Sequence, residues 1–129
     1  MNQVTRKQLW SGRVLSGLAV AFLLFDGVTH ALRMEAVVQW TVQLGYPPGA
    51  VPVIGALLLA GLVLYVIPWT ALYGSIWLTG YLGGAVATHV RIGSPLFSHT
   101  LFPCYVAALL WVGLALRHPR LRALLWTRD

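Results

Sequence analysis

The chain has 129 residues, which is enough for one domain. Hydrophobic residues make up 58% of it and charged residues only 9%, whereas a soluble domain carries about 25% charged residues, so the composition excludes an ordinary water-soluble globule and predicts a chain solvated by lipid. The net charge of +6 does not indicate nucleic-acid binding, because the basic residues cluster outside the apolar runs and are not interleaved with stacking aromatic side chains.

The apolar residues fall into four segments, at positions 14–32, 51–67, 71–90 and about 100–116. Each matches the ~17–25 residues that a helix needs to cross the hydrocarbon core of a bilayer. Helix is the expected form, because lipid offers no partner to the backbone polar groups. The first segment is too long for a signal peptide, so we expect it to be retained. The sequence therefore predicts an all-α fold, a four-helix transmembrane bundle, in one domain over residues 1–129.

Proline and glycine mark the connections between these segments. Pro47 and Pro48 close the first connection, Pro68 marks a very short turn, and residues 93–95 (GSP) end the third segment. Connections this short make successive helices antiparallel neighbours. Residues 34–44 have mixed polarity, which favours an amphipathic helix at the membrane interface.

The basic residues predict the orientation. With four spans, the two termini and the second connection share one side of the membrane. That side carries seven basic residues and the other carries two, which places both termini in the cytoplasm. The seven are Arg6, Lys7, Arg13, Arg117, Arg120, Arg122 and Arg128, and the two are Arg33 and Arg91.

Small residues recur every four positions in the third segment. Such stripes let two helices approach closely in a membrane, where the hydrophobic effect between helices is weak. We therefore expect this helix to lie at the centre of the bundle, packed against a helix of the same chain or of another one. The expected packing residues are Ser75, Thr79, Gly80, Gly83 and Gly84.

Polar side chains inside the apolar segments are the best indication of a site, because a charge at the bilayer centre costs about 3 kcal/mol or more. They concentrate at the predicted outer end of three helices, which indicates a polar pocket opening outward. Residues 34–50 are expected to roof it. The candidate pocket residues are Asp26, His30, Thr88, His89, Arg91, His99 and Tyr105.

Four interpretations of this cluster remain open. It is a structural ion pair of Asp26 with His30 or Arg91, or a binding or catalytic site in which Asp26 and a histidine act as acid and base. Three histidines and one carboxylate also suit a metal, but no local ligand spacing supports one, so no metal is assigned. A proton path lacks ionisable side chains deep in the cytoplasmic half.

Several stretches carry a family pattern: 23–28 (LLFDGV), 44–47 (LGYP), 79–91 (TGYLGGAVATHVR), Gly93, 95–97 (PLF), 101–103 (LFP) and 116–125 (LRHPRLRALL). In these stretches the chain resembles the bacterial DoxX-like family of small membrane proteins. The stretch at 79–91 is the most specific, and together they cover nearly the whole chain. The resemblance implies a four-helix membrane bundle in the bacterial inner membrane.

The resemblance assigns no reaction, and no motif implies a cofactor. The family takes its name from a subunit of an archaeal thiosulfate:quinone oxidoreductase. The small size, the glycine stripes and the absence of a recognised catalytic motif favour, as our first hypothesis, an accessory or scaffold subunit of a membrane system. The resemblance suggests that this system is linked to redox or quinone chemistry. Its partners would be the lipid bilayer and a membrane protein or a second copy of the chain. The alternative is a small membrane enzyme, or a quinone- or lipid-binding protein, that uses the pocket around Asp26 and His89.

Overall fold

The computed structural model describes residues 4–126, and all the regular structure in that range is helical. Arg128, one of the basic residues counted for the orientation, lies outside this range. The helices in chain order are α1 (Arg6–Ala31), α2 (Glu35–Gln43), α3 (Ala50–Val66), α4 (Ala71–Arg91), a π-helix (Leu96–Thr100), α5 (Phe102–Arg117) and α6 (Pro119–Trp126).

Two stretches between residues 4 and 126 are long and apolar enough to cross a membrane. They are α1, with 26 residues, and the continuous stretch Leu96–Arg117, in which the π-helix leads into α5 over 22 residues. Helix α3 is also apolar, but it has 17 residues. Helices long enough to cross a membrane therefore lie near both ends of the described range.

The helix bounds follow local hydrogen bonding as well as hydropathy. Helices α3 and α4 lie within one residue of the expected segments. Helix α1 begins at Arg6, well before residue 14, because Thr5 and Gln8 form a capping box with two reciprocal hydrogen bonds of 3.1 Å. Helix α6 was not expected from the apolar pattern, since it lies in the basic tail.

The π-helix is the other departure from the expected pattern. The predicted fourth segment began near Thr100, but α5 begins at Phe102 and is preceded by a wider turn. In that turn the Thr100 amide donates to the Pro95 carbonyl at 3.1 Å, and the Leu101 amide donates to the Leu96 carbonyl at 2.9 Å. These bonds reach back five residues, which defines a π-helix, and such turns often occur at functional sites.

The four long helices form a closed ring. Helix α1 packs against α3 and α5, and α4 packs against the same two helices from the other side. Helices α1 and α4 make no close backbone contact with each other within residues 4–126. Leucines from all four helices fill the centre: Leu23, Leu58, Leu78 and Leu110 are each at most 1% exposed. Helix α4 is thus one of four sides of the ring, and not its centre as expected.

Glycines allow close approach where α1 crosses its neighbours. A Cβ added to Gly113 on α5 would lie 2.8 Å from the Ser16 backbone nitrogen, and one added to Gly55 on α3 would lie 2.9 Å from the Gly27 carbonyl oxygen. Contacts this short do not occur for real Cβ atoms, so a side chain at either glycine would push the helices apart. These glycines set the spacing of the ring.

The glycines of α4 have a different environment from the one expected. Within residues 4–126, a Cβ added to Gly80, Gly83 or Gly84 would meet no atom within 4 Å apart from its chain neighbours and the nearby backbone of α4. Ser75 is fully buried and donates to the Ala71 carbonyl at 2.9 Å, while Thr79 accepts a 2.7 Å hydrogen bond from the Trp111 ring nitrogen. Close packing of the three glycines therefore stays a prediction for contacts with another molecule.

Candidate functional site

A cavity of about 570 Å³ lies at the end of the ring where α1 and α4 end. It occupies the space between these two helices, which make no close backbone contact within residues 4–126. Residues of α2 and of the π-helix close it from the side. The polar or aromatic side chains that line this "Asp26 cavity" are Phe22, Asp26, His30, Trp40, Thr41, Tyr46, Tyr81, Thr88, His89, Ser98, His99 and Phe102.

Asp26 and His30 lie one helical turn apart on α1 and form one unit. The His30 Nδ1 atom is 2.8 Å from the Asp26 backbone carbonyl and 3.3 Å from its carboxylate. A carbonyl oxygen only accepts, so Nδ1 carries a proton and donates it. The Asp26 side chain remains 33% exposed while that of His30 is 13% exposed. The carboxylate can therefore meet a ligand in the cavity, whereas the imidazole mainly holds the carboxylate.

Helix α2 contacts the Asp26–His30 unit through Thr41. The His30 Nε2 atom lies 3.4 Å from the Thr41 hydroxyl oxygen. Thr41 is only 2% exposed, and its hydroxyl donates to the Val37 carbonyl at 2.7 Å. The expected roof over residues 34–50 is thus present as α2 and the turn that follows it.

Tyr46 and Thr88 close a second side of the cavity. The Thr88 hydroxyl donates to the Gly84 carbonyl at 2.9 Å, which leaves its oxygen free to accept. The Tyr46 hydroxyl lies 2.7 Å from that oxygen and donates to it. Tyr81 stands two helical turns before Thr88 on the same face of α4 and lines the cavity as well. The side of the cavity formed by α4 therefore carries the hydroxyl groups of Tyr46, Tyr81 and Thr88.

The histidines of α4 and of the π-helix form the third side. The His89 and His99 rings meet edge to face with centroids 5.9 Å apart, and His99 stacks on Trp40 at 6.3 Å. His89 Nδ1 is 2.9 Å from the Ser94 hydroxyl, and His99 Nδ1 is 2.7 Å from the Ser98 hydroxyl. These serines occupy the Nδ1 atoms and leave the Nε2 atom of each ring for another partner.

The structure brings five of the seven candidate residues together: Asp26, His30, Thr88, His89 and His99 line one cavity. Arg91 and Tyr105 do not line it. The Arg91 guanidinium donates to the Leu44 carbonyl, and the Tyr105 hydroxyl donates to the Phe97 carbonyl at 2.9 Å. Of the two partners considered for Asp26, only His30 contacts it among residues 4–126.

Several lining residues were missed as candidates, among them Trp40, Thr41, Tyr46 and Tyr81. Trp40, Thr41 and Tyr46 belong to the roof, whose position over the cavity depends on tertiary packing. Tyr81 has a signal in the sequence, because it precedes Thr88 by seven residues and so shares its helix face. The metal interpretation finds no support in the described part of the chain, where no three histidine, cysteine or acidic side chains form a ligand group.

Apolar helices of membrane-spanning length, with a cavity among them that carries a few polar side chains, are characteristic of a helical integral membrane protein. The family model of the DoxX-like family matches residues 14–113, which is most of the chain, and the chain belongs to this family. The resemblance noted in the sequence is thereby confirmed. Comparisons with curated proteins and with solved structures found no match.

Proposed function

We propose that α1, α3, α4 and α5 each cross the inner membrane as a four-helix bundle with both termini in the cytoplasm. At about 1.5 Å per residue, α3 is ~25 Å long and α4 is ~31 Å long, close to the ~30 Å of hydrocarbon. Large apolar side chains point away from the ring on both helices, among them Val53, Val63, Ile76 and Val90. The excess of basic residues at the termini supports the orientation.

Thiol labelling of intact cells tests this topology. Cys104 is the only cysteine, so a Cys104→Ala background allows single new cysteines at exposed positions. A membrane-impermeant reagent should label Ala36→Cys on α2 and leave Thr5→Cys unlabelled until the cells are opened. The reverse pattern would invert the topology, and labelling of both before lysis would contradict a membrane crossing by α1.

The Asp26 cavity, we propose, binds a small amphipathic molecule with an apolar body and one or two carbonyl or hydroxyl oxygens. This is the chemistry of a quinone ring or of a lipid carbonyl region. One observation carries the proposal: a cavity of about 570 Å³ places a few convergent polar groups among apolar and aromatic walls. Cavities of this size and character are the usual form of small-molecule sites.

The lining residues have separate roles in this proposal. The Asp26 carboxylate accepts a hydrogen bond from a ligand hydroxyl and is held by His30. The Nε2 atoms of His89 and His99 offer hydrogen bonds to a ligand oxygen on the opposite wall. Aromatic rings of Trp40, Phe22 and Phe102 give flat apolar surfaces for a ring or chain.

Gly80 and Gly84 make the room for the ligand, since both line the cavity and lack side chains. Gly84→Leu should therefore fill the cavity. Gly83→Leu is the matched control, because Gly83 is its neighbour on α4, has open space around it and does not line the cavity.

The test is thermal unfolding in mild detergent with a short-chain quinone or a short-chain phospholipid added. A ligand that binds only the folded state raises the melting temperature. We expect one probe to stabilise the wild type and Gly83→Leu but not Gly84→Leu. The responding probe distinguishes quinone from lipid. No response to either probe, or an equal response from Gly84→Leu, would contradict the proposal.

A second candidate function, an accessory or scaffold subunit, is favoured by the exposed face of α4. Gly83 and Ala87 lie exposed one turn apart, and no helix in the described range covers Gly83. Small residues on an open helix face allow another helix to approach closely. Gly83→Leu should then reduce the recovery of a membrane partner or a second copy after crosslinking. Unchanged recovery would remove the support for this role.

A further inference from the structure

The opposite end of the ring is basic and holds an unpaired arginine. Here the end of α5 meets the start of α1, and the short helix α6 packs against α5. The Arg122 Nε and Nη2 atoms on α6 are both shielded from solvent, and neither has a hydrogen-bond partner among residues 4–126. Guanidinium nitrogens that are shielded from solvent and have no hydrogen-bond partner are unfavourable, so this edge of the side chain calls for an acceptor, best an anionic one.

The positions of the two unpaired atoms indicate which kind of anion would fit. Nε and Nη2 lie along one edge of the guanidinium group. This edge donates two parallel hydrogen bonds to the oxygens of a carboxylate or a phosphate. The acidic residues in the described range are Asp26 and Glu35, and both belong to the other end of the ring. The chain between residues 4 and 126 therefore supplies no anion for Arg122.

A second cavity, of about 310 Å³, lies beside this arginine. We call it the Arg122 cavity, and it is lined by Gln8, Val112, Ala115, Leu116, Arg122 and Trp126. Its walls are apolar except for the guanidinium and the Gln8 amide. This combination suits a molecule with an anionic group at one end and hydrocarbon at the other.

Neighbouring residues strengthen the case for a lipid headgroup. Trp10 and Trp126 are exposed at this end, where aromatic rings mark the level of the headgroups. The Arg117 guanidinium is already engaged, since it donates to the Ser16 hydroxyl at 3.0 Å and to the Gly113 carbonyl at 3.2 Å. Arg122 differs from Arg117 in that its donor edge is shielded and has no partner among residues 4–126.

We propose that the Arg122 cavity binds the phosphate of an anionic phospholipid, with Arg122 donating to the phosphate oxygens and the acyl chain lying along α5. Basic pockets between helices at a membrane surface are suited to such headgroups. The site is separate from the Asp26 cavity and does not depend on what that cavity binds.

Native mass spectrometry of the full chain, released from nanodiscs of mixed phosphatidylglycerol and phosphatidylcholine, tests this proposal. Arg122→Gln is compared with Arg120→Gln, which removes the same charge from an exposed position on the same helix. We expect the wild type and Arg120→Gln to retain phosphatidylglycerol, and Arg122→Gln to retain about tenfold less, as expected for loss of charge-assisted hydrogen bonds. Arg122→Lys, which keeps the charge but lacks the donor edge, should fall in between.

Three results would overturn the proposal. Equal loss in Arg120→Gln and Arg122→Gln would show general attraction of a basic surface. Displacement of the lipid by millimolar inorganic phosphate would show a site for free phosphate. Retention of phosphatidylglycerol by Asp129→Asn but not by the wild type would show that the Asp129 carboxylate neutralises Arg122 in the wild type. If Arg122→Gln fails to fold, wild-type levels of retention in Arg122→Lys contradict the bidentate contact.

Discussion

The Tyr46 hydroxyl donates a 2.7 Å hydrogen bond to the Thr88 hydroxyl and so fastens the connection between α2 and α3 to the last turns of α4. The two residues are 42 positions apart in the chain. Arg91 adds a second attachment from α4 to the same connection through the Leu44 carbonyl. The roof of the Asp26 cavity is therefore held by α4, although it is covalently continuous with α1 and α3.

Removing the Tyr46 hydroxyl should loosen this roof. We expect Tyr46→Phe to lower the free energy of unfolding by about 1 kcal/mol, because Thr88 loses the donor that faces it while the ring still packs. Thermal unfolding in detergent measures the change. Tyr73→Phe is the control, since Tyr73 is 67% exposed. An equal shift in both variants would contradict a stabilising role for the Tyr46–Thr88 bond.

Gly45 should be intolerant of a side chain for two reasons. Its φ of 97° lies in the left-handed region, and an added Cβ would lie 2.6 Å from the Arg91 guanidinium. Gly93 also has a left-handed φ, of 70°, but open space around it. We expect Gly93→Ala to cost about 1 kcal/mol from backbone strain. Gly45→Ala should cost more, because the Arg91 guanidinium would have to move away from the Leu44 carbonyl to make room.

A double-mutant cycle separates the two costs at Gly45. In an Arg91→Ala background the contact is absent, so Gly45→Ala should cost less than it does in the wild type. The melting temperatures of the four proteins give the coupling. Strictly additive changes in melting temperature would contradict a steric contact between the Arg91 guanidinium and a side chain at position 45.

The long helices were predictable because apolar runs interrupted by proline and glycine depend on local sequence alone. The grouping of Asp26, His30, Thr88, His89 and His99 was also predictable, since each falls near the same end of a predicted helix. Other features depend on tertiary packing. No hydropathy pattern indicates that α2 and the turn after it place Trp40 and Tyr46 over the cavity. Nor does one indicate that the π-helix places His99 in the cavity wall.

The roles of the glycines also depend on tertiary packing and were only partly predictable from the sequence. The spacing of Gly80 and Gly84 is typical of a packing stripe, yet in this chain both line a cavity. Isolated Gly113 lacks such a pattern and nevertheless lies at a close crossing. A repeat in one helix does not reveal which face meets a neighbour, because that depends on how the other helices are arranged.

Alanine at two glycines should therefore change stability in opposite directions. Gly113→Ala places a Cβ against the Ser16 backbone and should destabilise the protein by about 1–3 kcal/mol through overpacking. Gly17→Ala on α1 meets nothing within 4 Å, and it should stabilise by up to ~1 kcal/mol through helix propensity. Thermal unfolding gives both signs. Stabilisation by Gly113→Ala would contradict the close crossing of α1 and α5.

His118, beyond the last span, should make stability depend on pH. Burial, and to a lesser degree the positive charge of Arg117, lower the pKa of His118 from its ordinary value of 6.5. The folded state therefore binds this proton less readily than the unfolded state does. Stability from the neutral ring is present above pH 6.5 and is lost as the pH falls through the lowered pKa.

The comparison with His118→Gln isolates this contribution from that of the other histidines. As the pH falls from about 7 to 5, the melting temperature of the wild type should fall relative to that of His118→Gln. A difference that stays constant, or that shifts in favour of the wild type, would contradict the lowered pKa.

The central claim is that the Asp26 cavity holds a small amphipathic molecule in the membrane. The most direct measurement is mass spectrometry of the small molecules that copurify with the protein after extraction in mild detergent, compared among the wild type, Gly84→Leu and Gly83→Leu. The account predicts one quinone or lipid species near stoichiometric amount in the wild type and Gly83→Leu, and its loss in Gly84→Leu. A wild type without any enriched species, or a Gly84→Leu protein that keeps it, would contradict the claim.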